Sequence, residues 1–249
     1  MKQHWPLAAL GLVAYLLFML VLTPAAWWLK LVSLPPQLQL GQVTGTLWQG
    51  KVQQLRFQQL QLNELNWQLN PWSLLRLRLD LALQSGSVQQ NQQPYLQARV
   101  WATPAGISVH SSLIKLPVPL LLPLLQLPMP VQAGGELVLD IQRLTLQSGR
   151  CQTLAGQLSW FDASLQPPTG TWLQLQQFNA RLECDEQQPV LITDPANILA
   201  LDVRATVNAA GKLQVSGTLK PAAELPAEVH QAMQFVGAPD AEGRYRLNF

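Results

Sequence analysis

The chain has 249 residues, of which 16 are Lys or Arg and 14 Asp or Glu, giving a formal net charge of +2 with only 12% charged and 48% hydrophobic residues. That balance excludes a nucleic-acid-binding surface and an acidic tail, and the bulky apolar content excludes general disorder. Polarity is supplied instead by uncharged side chains, chiefly Gln, which recurs between leucines along the whole chain.

In chain order, the first element is apolar. No residue from Pro6 to Leu22 is charged, and the run continues through Trp27, Trp28 and Leu29 before Lys30. A spanning helix needs about 20 predominantly apolar residues, and residues 5–29 supply them. Trp5 on one side and Trp27 with Trp28 on the other mark the membrane interfaces, where an amphipathic indole is most stable. Lys2 and the amino terminus favour leaving residues 1–4 in the cytoplasm and exporting the rest, although Lys30 lies close on the far side. The competing reading is a cleaved signal peptide, with Thr23 and Ala25 as small residues before the cut. Against it, the run exceeds the roughly 7–15 residues of a signal core.

Beyond Lys30 the period changes to two. The stretch "LQLGQVTGTLWQG" (38–50) leads into "KVQQLRFQQLQLNELNWQLN", and "LLRLRLDLALQ" alternates strictly. That alternation puts Leu75, Leu77, Leu79, Leu81 and Leu83 on one face and Arg76, Arg78, Asp80 and Ala82 on the other, as in a strand with one buried side. The same pattern returns in "YLQARVWATPAGISVHSSL", "GELVLDIQRLTLQ", "AGQLSWFDASL", "TWLQLQQFNARLEC", "ILALDVRATVNAAGKLQVSGTL" and "GRYRLNF". Turn signals at 84–86, 104–106 and 209–211 separate the segments at hairpin spacing. The predicted fold is mainly β: an extended, curved antiparallel sheet behind an N-terminal helix.

Two segments interrupt the strands. Residues 115–135 are apolar but carry Pro117, Pro119, Pro123, Pro128 and Pro130, which forbid one long helix and leave a short helical turn over 120–127. In "PAAELPAEVHQAMQFVG", Pro226 opens a helix with Val229, Met233 and Val236 on one face and Gly237 at its end. Side by side the two regions share one plan: strand, proline, short apolar helix, glycine turn, closing strand. The motif xGxL also recurs, as Gly45 with Leu47, Gly156 with Leu158 and Gly217 with Leu219. These parallels predict two repeated halves, 30–142 and 143–249, each of roughly a hundred residues.

A glycine inside a strand marks a bend, a bulge or a close approach. Gly45 is therefore read as a bend with Trp48 covering the bared backbone, the alternative being a ligand contact. Cys151 and Cys184 are the two cysteines of the chain, and export to an oxidising compartment favours their pairing. With three histidines (His4, His110, His230) they show none of the close spacings of a zinc site. GxSxG, HExxH and phosphate-binding glycine loops are absent. Asp185 and Glu186 are adjacent carboxylates that would point to opposite faces in a strand, and they are read as a solvated turn. The expectation is a chain that is not an enzyme and carries no catalytic residue, metal or cofactor.

A short apolar N-terminus, "LPP" at Leu34–Pro36, "GTLWQG" at Gly45–Gly50, "LNWQLNPWSLL" at Leu65–Leu75, two cysteines with "GQLSW" between them, and the ending "SGTLKPAAELPAEVHQAMQFVGAPDAEGRYRLNF" together resemble the type II secretion system protein N family. The resemblance runs nearly end to end and implies a single-pass protein of the bacterial inner membrane, N-terminus cytoplasmic, with a periplasmic β-domain over 30–249. It also implies contact with other secretion subunits, notably protein M and the secretin, protein D, during export of folded proteins across the outer membrane. Gly45, Trp48, Trp67 and Trp72 form the candidate interaction surface. A weaker resemblance, in pattern alone, is to AsmA-like envelope proteins, which implies a lipid-binding groove on the apolar sheet face.

Overall fold

A computed structural model describes residues 10–12, 15, 18–19, 21–27, 38–57, 60–87, 89, 93–124, 131–166, 170–207, 213–226, 229–230, 233 and 237–248. Strands β1 (Leu38–Leu40), β2 (Val43–Gly45), β3 (Gln49–Phe57), β4 (Leu60–Leu69), β5 (Leu79–Ser85), β6 (Tyr95–Thr103) and β7 (Gly106–Pro117) make the first part of a sheet. It continues through β8 (Gln132–Gln147), β9 (Arg150–Gln166), β10 (Leu173–Asp185), β11 (Gln188–Thr193), β12 (Asp202–Val207), β13 (Leu213–Leu219) and β14 (Tyr245–Asn248). From β3 onward every strand pairs with the next in sequence, while β1 and β2 both pair with β3. All pairings between named strands are antiparallel. The fold is thus one open antiparallel meander of 14 strands.

The register explains why alternation in the sequence becomes a single sheet. Leu69, Leu81, Val100, Val109 and Leu144 stand opposite one another in succession across β4 to β8, and Ile114, Leu139, Leu158 and Ala180 do so across β7 to β10. Gln68, Ala82, Arg99, His110 and Arg143 form the matching row of the other face. One apolar and one mostly polar face result, because a one-residue slip would exchange them. Tight turns hold the pairing: Ser148–Gly149 and Glu186–Gln187 both have positive φ at each residue, the geometry whose twist matches that of the flanking strands.

Three strands carry a common break. Gly135 on β8, Asp162 on β9 and Gln176 on β10 have φ of 97°, 50° and 66°, and the registers of both strand pairs shift beside them. Bulges bend a strand and raise its twist, so these aligned positions crease the sheet. A Cβ on Gly135 would lie 2.3 Å from the Phe161 carbonyl oxygen, which is why this position takes glycine. The indole of Trp160 donates to the Gly134 carbonyl at 2.9 Å beside the crease.

Several expectations are corrected. The strand expected from Leu75 begins at Leu79, because Pro71–Arg76 is a 3-10 turn and Leu77 is left-handed with φ 51°. Asn70 and Ser73 impose it: Asn70 Oδ1 accepts from the Trp72 amide, and Ser73 Oγ donates to the Asn70 carbonyl and accepts from the Asp80 amide. Leu75, Leu77 and Leu79 are consequently 80%, 78% and 44% exposed rather than on a buried face. In the proline-rich segment, 3-10 turns lie at Val118–Leu120 and Leu122–Leu124; residues 125–127 of the expected helical turn lie outside the described residues, as do Val236 of the second helix and the 209–211 turn. β8 spans positions 142 and 143, where the two halves are expected to meet, and its register against β9 shifts between Ile141 and Arg143.

Among the described residues no helix is long and apolar enough to cross a membrane. Trp5, Trp28 and most of the 5–29 run lie outside the described residues. Within that run, residues 10–12, 15, 18–19, 21–22 and 25–27 are helical, and Trp27 is 68% exposed.

Candidate functional site

The four candidate surface residues lie at one end of the sheet but play different parts. Gly45 closes the β2–β3 hairpin with φ 100°, and a Cβ there would stand 2.5 Å from the Gln49 carbonyl oxygen. Gly45 is therefore a backbone requirement of the turn, as the bend reading expected. Over the neighbouring Gly50 the covering ring is that of Trp67. Trp67 stands opposite Gly50, where an added Cβ would meet its ring at 2.2 Å, and its Nε1 donates to the Leu47 carbonyl at 3.2 Å. Trp48 is half-buried in the hairpin; its amide donates to Thr46 Oγ1, and its carbonyl accepts from the Leu69 amide. Trp72 is 75% exposed on the 3-10 turn between β4 and β5.

The glycine spacing in "GTLWQG" was the readable signal for this hairpin. Which indole covers it depends on the β3–β4 register, which no local pattern shows. The hairpin also meets the N-terminal segment, through an antiparallel bridge between Pro24 and Thr46 next to buried Ala25.

A second feature occupies the apolar face near the crease. Leu137, Leu158, Trp160, Leu175, Phe178 and Leu191 are among the side chains lining a groove of about 220 Å³ that has almost no polar lining. Trp160 and Phe178, opposite each other on β9 and β10, are stacked with ring centroids 5.7 Å apart. The groove is walled by Leu199 and Leu201 from the loop after β11. Asn197 fixes that loop by accepting from the amides of Leu199 and Leu201, while Thr193 Oγ1 donates to the Leu201 carbonyl and accepts from the Val203 amide.

Nearby, Cys151 at the start of β9 and Cys184 at the end of β10 form the disulfide expected from the sequence, with Cα atoms 5.7 Å apart. Cys151 is 2% exposed, and its amide donates to the Gln187 carbonyl. The bridge joins residues 33 positions apart, so it pins the two strands that carry the groove.

The polar face holds a row of basic residues. Arg99, His110 and Arg143 stand opposite one another on β6, β7 and β8. Beside them the Arg78 guanidinium lies 4.2 Å from the centre of the Trp101 ring, whose centroid is 3.9 Å from that of His110. Ion pairs among the described residues lie elsewhere, at Lys51–Glu64, Arg204–Asp185 and Arg244 with Asp240 and Glu242. Asp240 organises the turn before β14: its Oδ1 accepts from the Glu242 and Arg244 amides. The Arg244 amide, the largest influence, holds its carboxyl below the ordinary carboxylate value; burial opposes it as the next largest, and the Arg244 guanidinium and the Glu242 amide each add a smaller lowering effect. Among the described residues no group of three His, Cys, Asp or Glu is placed to hold a metal ion.

Against known proteins, the sequence model of the family described as "Type II secretion system (T2SS), protein N" matches residues 36–248. A type II secretion system protein N from Aeromonas hydrophila is 34% identical over 100% of this chain and 98% of its own. Proteins of the same description from Vibrio cholerae and Klebsiella pneumoniae are 29% and 27% identical, over 90% and 98% of this chain and 89% and 94% of theirs. No solved structure matches. The chain belongs to the type II secretion system protein N family.

Proposed function

We propose that this member of the protein N family is a non-enzymatic subunit held at the bacterial inner membrane by residues 5–29, with its N-terminus cytoplasmic and its sheet, residues 30–249, in the periplasm. There it docks other components of the type II secretion machinery, protein M and the secretin, protein D, as folded proteins are exported across the outer membrane. The observation that carries the docking role is the open sheet: among the described residues β1 pairs only with β3, and β14 only with β13. Unpaired edge groups are templates for a further strand, and strand addition gives affinity through main-chain hydrogen bonds. The two halves, 30–142 and 143–249, are read as repeats because β7 and β8, like β13 and β14, are antiparallel neighbours separated by a proline-bearing connection.

The test is light cross-linking in the native membrane, extraction of the full-length protein in mild detergent, and mass spectrometry of proteins and lipids together. Secretion subunits recovered at the level of the bait support docking; their absence overturns it. The apolar groove beside Trp160 and Phe178 favours a second reading, an acyl-chain site of the AsmA-like kind, since a cavity so poor in polar lining offers a lipid tail dispersion contacts and little else. Stoichiometric phospholipid on the extracted protein, with no secretion subunits, would favour this reading over the first.

A further inference from the structure

The turn between β4 and β5 is built inside out. Its serine, Ser73, is 4% exposed, whereas Trp72, Leu75 and Leu77 are 75%, 80% and 78% exposed. The turn is internally bonded: the Asn70 amide donates to Asp80, the Leu77 amide to Leu74, and the Arg78 amide to Ser73. With the Trp72 amide on Asn70 Oδ1 and the Ser73 hydroxyl between Asn70 and Asp80, much of its backbone polarity is satisfied within the turn. A surface turn meant for water has no reason to present an indole and two leucines while its serine points inward. A turn meant for a lipid interface does, because backbone groups entering an apolar medium must bring their partners with them.

Position supplies the occupant. The neighbouring loop at this end of the sheet is the β2–β3 hairpin, whose Trp48 carbonyl accepts from the Leu69 amide at the entry to the turn. That hairpin is bridged through Thr46 to Pro24, at the end of the apolar N-terminal run. The turn is thus two backbone contacts from the segment read as the anchor. Arg76, exposed in its last residue, adds a cation where an anionic headgroup would lie, and an indole flanked by leucines has the amphipathic character of a membrane-interface residue.

We propose that the 71–77 turn dips into the membrane that holds the N-terminus, with Trp72, Leu75 and Leu77 among the upper acyl chains and Arg76 at the headgroups. The turn becomes a second point of attachment that sets the orientation of the sheet on the bilayer. This inference rests on the reading of residues 5–29 as a membrane anchor.

The test uses the full chain in phosphatidylcholine–phosphatidylglycerol vesicles, with the native cysteines oxidised and an environment-sensitive fluorophore on a single new cysteine: Leu75→Cys, Phe18→Cys in the N-terminal run, or Gln142→Cys at an exposed position of β8. Nitroxide-bearing lipids should quench the label at 75 and 18 but not at 142, and Arg76→Gln should lower the inserted-to-free ratio of the turn about fivefold in anionic vesicles. Quenching at 18 without quenching at 75 overturns the inference and leaves the anchor standing. No quenching at 18 removes the anchor and the inference with it. A photo-reactive residue replacing Trp72 in secreting cells should yield lipid adducts; a protein adduct in their place overturns the membrane as the occupant.

Discussion

In the middle of the sheet the apolar side chains of β8, β9 and β10 are opposed by one another: Leu137 by Trp160, Trp160 by Phe178, and Leu158 by both Leu139 and Ala180. At the β4–β5 turn, Trp72, Leu75 and Leu77 project outward. The first region is pinned by the Cys151–Cys184 bridge and creased by three aligned positive-φ residues; the second is held by hydrogen bonds among polar groups. Apolar residues therefore carry structural weight where strands are long and neighbours continuous. At the β4–β5 turn polar groups hold the backbone and the apolar side chains are left exposed.

The largest effect should come from breaking the pinned region. Cys184→Ser removes a constraint worth about 4 kcal/mol in the chain-entropy limit. Denaturant unfolding of the full-length protein in detergent should show wild type falling to the level of the variant on reduction, with the variant indifferent to reductant; equal stability in all four conditions would show that the bridge does not stabilise the fold. Trp160→Ala, which deletes the stack on Phe178 and the bond to the Gly134 carbonyl, should cost about 3 kcal/mol by the same measurement. Gly45→Ala forces a Cβ against the Gln49 carbonyl at positive φ and should cost about 2 kcal/mol, seen as a lower Tm.

The contrast sharpens at the turn. Leu75→Ser should change stability in detergent by no more than about 0.5 kcal/mol, and a loss as large as that of Trp160→Ala would mean that the turn is packed after all. Smallest is the acid limb of the stability profile. The folded-state pKa of Asp240 is depressed, so its contribution is full above the unfolded value near about 3.9 and is lost as the pH falls through the lower folded value. Asp240→Asn should flatten the decline in Tm below about pH 4; an unchanged acid limb would show that the turn before β14 does not report on this carboxylate.

Most strands were legible because strict alternation over five or more residues fits the period of a half-buried strand and not that of a helix. The cysteine pair was legible because two cysteines in a chain read as exported offer one pairing. The β4–β5 turn was not. Its leucines alternate as a strand's do, and the contrary signal was the Asn70–Pro71 dipeptide, a turn marker reinforced by Ser73. The covering role of Trp67 was likewise hidden, since it depends on the pairing of Gly50 with Trp67 across β3 and β4.

The sequence by itself determined the strand content, the two-faced character of the sheet and the family, because side-chain period and residue identity are local properties of the chain. Tertiary structure alone decided the cross-strand register, the line of bulges through Gly135, Asp162 and Gln176, the groove beside Trp160 and the exposure of the 71–77 turn. These depend on which residues far apart in sequence come to stand opposite one another, and hydrogen bonding between strands fixes that only once the whole sheet is assembled.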